Sequence, residues 1–336
     1  MPHPLPTPLE SAPSKLSLRD WLAIAIFLVL LLAATEQLLR GSGYESGPHD
    51  DDAFWAFHRL AADNLERDGV VCIGSSRCQA DVRIKQLSDA ISRPVVQLSI
   101  AGSSPLPVLE DLATHSTFRG TVVLSISPHH AFSRRLDRTG KSQDWIKRYH
   151  EIKSSPGERM ELKLKIGARN SVLLRQDFNW RTVLNRYVLR REPAYKEVFT
   201  KETRWKHFPD VMKGARSGFQ LDIPESDRDL ESRDTLIERY AAAIRIIEQR
   251  GGKVLIIRPP STGYDCEDAG FIDTEKRSFP RHAFYDRLVQ HCDVPDFHAE
   301  DVPTLKDLRG VDGSHLCNSD AKRFTQRLAL VIPDRE

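Results

Sequence analysis

Four short apolar runs, at residues 69–73, 95–100, 122–126 and 253–257, constrain this chain more than any other feature. Apart from Gln97 and Ser99 in the second, they do not alternate between apolar and polar positions, so neither face of such a strand can be turned to water. That pattern requires a parallel sheet covered by helices on both sides. A weaker fifth run lies at 294–298. Helical periodicity falls between the strands, as parallel pairing demands. Residues 106–115 fit the crossover from the second strand to the third, and 234–249, stopped by Gly251 and Gly252, lead into the fourth. A last helix is expected over 319–330, entered through Asn318 or Ser319, and an early one over 54–65, with Asp50, Asp51 or Asp52 as cap. The fold class is α/β.

Strands three and four are separated by far more than one crossover. Residues 131–230 read as a large, mainly helical insertion, a lid or cap with helix-like runs at 158–166 and 183–191 and loops around 214–224. Its tryptophans, Trp145, Trp180 and Trp205, suit packing better than sugar stacking. The whole chain carries a formal net charge of only +2, which argues against nucleic acid as a partner. Charge is unevenly spread, however, with 22 Lys/Arg against 10 Asp/Glu between Ala131 and Arg216. Such a segment suits an anionic polysaccharide, glycan or lipid headgroup, although a solvated helical surface would look the same.

The N-terminus points to a bilayer. Residues 1–19 form a proline-rich, disordered cytoplasmic tail, with Pro2, Pro4, Pro6, Pro8 and Pro13 followed by Lys15 and Arg19. Residues 21–34 then carry no polar side chain, and Leu38 and Leu39 extend the run. As a helix through Leu39 it measures about 28 Å, close to the hydrocarbon thickness of a membrane. A signal-peptide core or a buried helix would share its length, but no small-x-small cleavage site follows. The expectation is a single-pass anchor over 20–40 in the inner (cytoplasmic) membrane. Positive charge precedes the span and acidic residues follow it, which places the body outside the cytoplasm, in the periplasm or its equivalent. Residues 41–52 read as a linker and 53–336 as the globular domain. The five cysteines are too scattered for a disulfide framework, and none has metal-site spacing.

The chemistry is concentrated at two places. The first strand ends in Gly74-Ser75-Ser76-Arg77, which delivers a hydroxyl to the carboxyl edge of the sheet, where open α/β folds bind ligands. Near the other end, Asp312-Gly313-Ser314-His315 supplies an imidazole and, three residues earlier, a carboxylate to orient it. Serine is a weak nucleophile until a base takes its proton, so the two segments complete each other.

Those residues resemble the SGNH/GDSL hydrolase superfamily. Gly74-Ser75-Ser76 is similar to its first block, Gly102 in Ile100-Ala-Gly-Ser-Ser104 to its second, and Asp312-x-x-His315 to its last. The resemblance implies a flavodoxin-like three-layer α/β/α sandwich of about five parallel strands and acyl-ester chemistry. It assigns Ser76 as nucleophile, His315 as base and Asp312 as orienting acid, with the N–H groups of Ser76 and Gly102 as the oxyanion hole. No cofactor or metal is implied. Ser75 stands where the family has aspartate. A second departure is chemical: the segment after strand three is Ser125-Ile-Ser-Pro-His-His130, without the asparagine that serves as a third oxyanion donor. Ser127, His129 or His130 could substitute.

With the N-terminal span, the pattern is similar to that of anchored envelope proteins of teichoic-acid D-alanylation and exopolysaccharide O-acetylation. That implies an acyltransferase or esterase moving an acyl group, acetyl foremost, on an envelope glycan, in company with a membrane-bound O-acyltransferase. Transfer and hydrolysis need the same triad. A catalytically silent assembly factor that keeps the scaffold is the alternative. Arg77 either steers an anionic substrate or sits on a helix surface, and Arg258, after strand four, could line the pocket. Cys78 and Cys317 each lie two residues beyond a triad member; a disulfide between them or two independent thiols are both open.

Overall fold

The structure, a computed structural model, describes residues 17–41, 49–65, 67–133, 140–173, 198–200, 203–207, 230–260, 275–308, 310–311 and 314–334. The proline-rich tail through residue 16, residues 42–48 of the linker, the expected helix at 183–191, Trp180, the loops at 214–224, Cys266 and Asp312 lie outside these residues.

The chain begins with α1 (Leu18–Gly41), long and apolar enough to cross a membrane, and enters the globular part through α2 (Asp52–Asp63). Asp51 caps α2 by accepting from the Phe54 N–H at 2.8 Å. Then follow β1 (Val70–Ile73), α3 (Ser76–Asp81), α4 (Ile84–Ile91), β2 (Val95–Gln97), α5 (Leu106–His115), β3 (Thr121–Ser125) and the single turn α6 (Pro128–Ala131). The described part of the insertion holds α7 (Lys141–Ser154), α8 (Pro156–Ala168) and a two-residue ribbon pairing 198–199 with 206–207. The chain closes with α9 (Leu230–Gln249), β4 (Lys253–Arg258), α10 (Tyr285–Cys292), β5 (Asp296–His298) and α11 (Asn318–Ala329).

The five strands pair in parallel throughout, in the order β2-β1-β3-β4-β5, the flavodoxin-like arrangement. Side chains alternate between two separate cores. Val71, Ile73, Val122, Leu124, Val254 and Ile256 share a core with α2, α5, α9 and α10. Val70, Cys72, Val123, Leu255 and Ile257 face α3, α4 and α11. Both sides are dry, which is why the runs, Gln97 and Ser99 apart, show no alternation of polarity. Each fully buried valine or leucine contributes about 1.5–3 kcal/mol, so the two cores together dominate the stability.

Two expectations shift. The described helices of the insertion do not stand over the sheet as a lid. Instead α7 and α8 pack against α2, because Trp145, Tyr149 and Ile152 form an apolar stripe that meets Trp55. Residues 203–207 of the insertion do reach the carboxyl edge. There Arg204, fully buried, donates to Gln97 O at 2.9 Å and Ser99 O at 3.1 Å and pairs with Asp50, while Trp205 Nε1 donates to Ala80 O at 2.7 Å.

Beyond its apolar run, α1 is tied to the globular part. Glu36 accepts from the N–H groups of Val172 at 2.9 Å and Leu173 at 3.2 Å and from Ser171 Oγ at 2.9 Å, and Arg40 donates to Asn170 O.

Candidate active site

The strand order reverses between β1 and β3, and the crevice at such a point opens between their carboxyl ends. Both segments singled out in the sequence arrive there. Gly74 makes the exit from β1 possible: a Cβ at this position would lie 2.6 Å from Cys78 Cβ and 2.8 Å from Ser125 Cβ. Ser75 is buried and its Oγ donates to Ser127 Oγ at 3.1 Å, bridging the two sides of the crevice. Ser76 is half-exposed and opens α3, whose first N–H groups have no intrahelical acceptor. Of the two serines, Ser76 is therefore the one with an accessible hydroxyl.

Two bonds from α3 hold the segment around His315. Arg77 Nε donates to Ser314 Oγ at 3.1 Å, and Asp81 Oδ1 accepts from the Leu316 N–H at 2.8 Å. The Val311 N–H bonds to His315 O at 2.8 Å, and Gly310 pairs with Leu316. His315 itself is half-buried. The residues on either side of the candidate base are thus fastened to the short helix that begins with the candidate nucleophile. Asp312, the third member, lies outside the described residues.

Arg77 corrects the expectation of a helix-surface side chain. It is buried, and its NH1 donates at 3.0 Å to Glu275 Oε2, which also accepts from Arg258 NH2 at 3.0 Å. Burial would push the Glu275 carboxyl up, but the guanidiniums of Arg77 and then Arg258 bring it down to about 2, so it is ionised. Arg258 also donates to Ile126 O at 3.3 Å, joining β4 to the end of β3. A cavity of about 180 Å³ adjoins this cluster, lined by Pro128, Arg258, Glu275, Phe279, Tyr285 and His298 among others.

Two histidines follow β3 on α6. His129 is buried, and its ring lies 5.0 Å from that of His130. His130 is half-buried, with Nδ1 shut away from solvent and without a hydrogen-bond partner among the described residues. Burial first, then the His129 and Arg77 charges, push its pKa down to about 3, so the ring is neutral at pH 7. On the other side of β1, Gly102 is exposed, with φ +72° in a turn closed by Ser103 N–H to Ile100 O. This is the left-handed position that glycine takes without strain.

The proposed Cys78–Cys317 disulfide is not formed: both are buried free thiols. Cys78 Sγ donates to Gln97 Oε1 at 4.0 Å, whereas Cys317 Sγ lies 3.2 Å from Ser319 Oγ at the start of α11. The two sulfurs have different partners. Sequence reading missed Glu275 and Asp81. Asp81 follows the nucleophile by one helical turn or so, a spacing that could have marked it as facing the same neighbour. Glu275 stands in a segment without periodicity and had no such mark.

No family model matches the chain, and no curated protein matches it. Among solved structures it is similar to the inhibitor-bound form of an aryl esterase of M. smegmatis, at 13% sequence identity and a TM-score of 0.37, over 78% of this chain and 97% of that one.

Proposed function

We propose that this chain is a membrane-anchored serine esterase or acyltransferase of SGNH type, acting outside the cytoplasm on an acylated envelope polysaccharide or glycan. The observation that carries the reading is the fastening of Ser314 and Leu316 to α3, which brings His315 to the helix headed by an accessible Ser76. In the proposed reaction His315 takes the Ser76 proton as Oγ attacks the ester carbonyl, and it returns the proton to the departing alcohol. Asp312 orients the imidazole. The acyl group then passes from Ser76 to water or to a sugar hydroxyl. The N–H groups of Ser76 and Gly102 hold the developing oxyanion. His129 and His130 stand where the family has its asparagine, and a neutral His130 can donate a hydrogen bond without bringing a charge of its own. The cavity beside Arg258, Glu275 and His298 is the natural place for the acyl group or its acceptor. A membrane-bound O-acyltransferase would be the donor if transfer is the reaction.

The test is hydrolysis of p-nitrophenyl acetate by the full-length chain in detergent. Ser76→Ala and His315→Asn should each lower kcat at least about 10³-fold, since removal of a triad member leaves only binding and oxyanion stabilisation. Ser75→Ala should retain most of the activity. Turnover unchanged in Ser76→Ala would sink the mechanism and favour the silent assembly factor.

A further inference from the structure

A second cluster of reactive side chains lies at the opposite edge of the sheet. Helix α5 leaves the carboxyl edge after β2 and ends at the amino edge before β3, so its last turn is remote from Ser76. Asp111 and His115 are one turn apart on that end and share a face. His150, from α7, completes the group. Asp111 Oδ1 lies 2.6 Å from His150 Nε2 and 3.4 Å from His115 Nδ1, and the three donor atoms fall within 4.8 Å of one another.

We propose that Asp111, His115 and His150 form a binding site for a divalent transition-metal ion, zinc foremost. Two imidazole nitrogens and one carboxylate oxygen are the donor set of zinc and its neighbours in the first row; calcium and magnesium prefer oxygen alone. The carboxylate is held in place from behind. Asp111 is buried, and its Oδ2 accepts from Arg59 Nε at 2.9 Å and pairs with NH2 at 2.8 Å, leaving Oδ1 aimed at the two rings. Arg59 does not leave an excess of positive charge under the site. It also pairs with Asp63 at 2.6 Å, and Asp63 pairs in turn with Lys153 at 2.9 Å, so two cations meet two carboxylates.

The histidines provide the entry. Their side chains are 60% and 36% exposed, which leaves room for the ion to arrive and for water to complete its coordination. Tetrahedral zinc with bonds of 2.0–2.1 Å sets its ligand atoms about 3.3 Å apart. His115 already stands at that separation from Oδ1. His150 must retreat by less than about 1 Å and give up the proton it shares with Asp111, and His115 must release its 2.9 Å contact with Thr114 Oγ1. Rotation of two surface side chains accomplishes both. The ion would then cross-link the crossover helix of the sheet to the first helix of the insertion.

The experiment is calorimetric titration of ZnCl₂ into the full-length chain in detergent after metal removal with a chelator, beside the double variant His115→Ala/His150→Ala. The wild type should bind one equivalent more than the variant, and zinc should raise its Tm in a chelator-reversible way that the variant lacks. Because both substituted side chains are at the surface, the metal-free Tm values should agree. Equal stoichiometry and affinity in the two proteins, or no saturable zinc binding by the wild type, would overturn the site.

Discussion

A guanidinium removed from water must be matched by charge and hydrogen bonds, and Arg77 spends its donors on holding the site together rather than on solvent. Its partners, Glu275 and Ser314, lie 198 and 237 residues away. The cation beside the candidate nucleophile is therefore a positioning residue for the turn that carries His315. His130 shows the same crowding from the other side. Its pKa falls from 6.5 to about 3 in the fold, so between these values the unfolded chain binds a proton that the native one does not. Stability contributed by keeping this ring neutral is thus complete above about pH 6.5 and is lost progressively down to about pH 3. The expected outcome is a Tm that drops across that interval and drops less in His130→Asn, measured by circular dichroism at stepped pH. An equal drop in both proteins would remove His130 from the acid response. Ser76, Asp312 and His315 stand out as candidates in the sequence because each belongs to a short local pattern. Glu275 could not, since its role exists only through two arginines brought to it by β1 and β4.

At the level of elements, the strand-to-helix exit at Gly74 is a tight joint. Only two residues separate β1 from helix α3, and the atoms that face Gly74 are the Cβ atoms of Cys78 and Ser125, which cannot swing aside without moving backbone. Gly74→Ala should therefore destabilise the fold by about 1–3 kcal/mol, the usual cost of overpacking, with the loss read from urea unfolding. Wild-type stability in that variant would show that the joint has slack. The strands themselves were legible to within a few residues, because burial on both faces leaves an unbroken apolar run. β2 is shorter than its run: after Gln97 only alternate N–H groups, those of Leu98 and Ile100, still bond to β1's side, at 2.8 and 3.0 Å. α3 and α4 escaped notice for the opposite reason, as six and eight residues are too few to display a helical period.

For the whole molecule, the question is how a globular α/β body relates to the apolar helix that precedes it. The exposed surface of α1 and the bonds from Glu36 and Arg40 to residues 170–173 suit a helix that leaves the bilayer and is gripped at once by the body. The full-length chain is expected to remain in the membrane pellet through an alkaline carbonate wash, while a chain beginning at residue 45 goes to the supernatant. Release of the full chain by carbonate, or an N-terminal sequence starting beyond α1, would overturn the anchor. Sequence alone determined the class of fold, its dry sheet, the apolar N-terminal segment and the two segments that carry the candidate residues. All of these are written in short-range composition, where hydrophobicity and turn residues act on their neighbours. The tertiary structure alone decided that the described helices of the insertion join a helical layer instead of covering the sheet, that Cys78 and Cys317 stay free thiols, and that Arg77 and Arg258 close around the buried carboxylate of Glu275. Such outcomes depend on which distant surfaces come to exclude water together, and no local pattern records that.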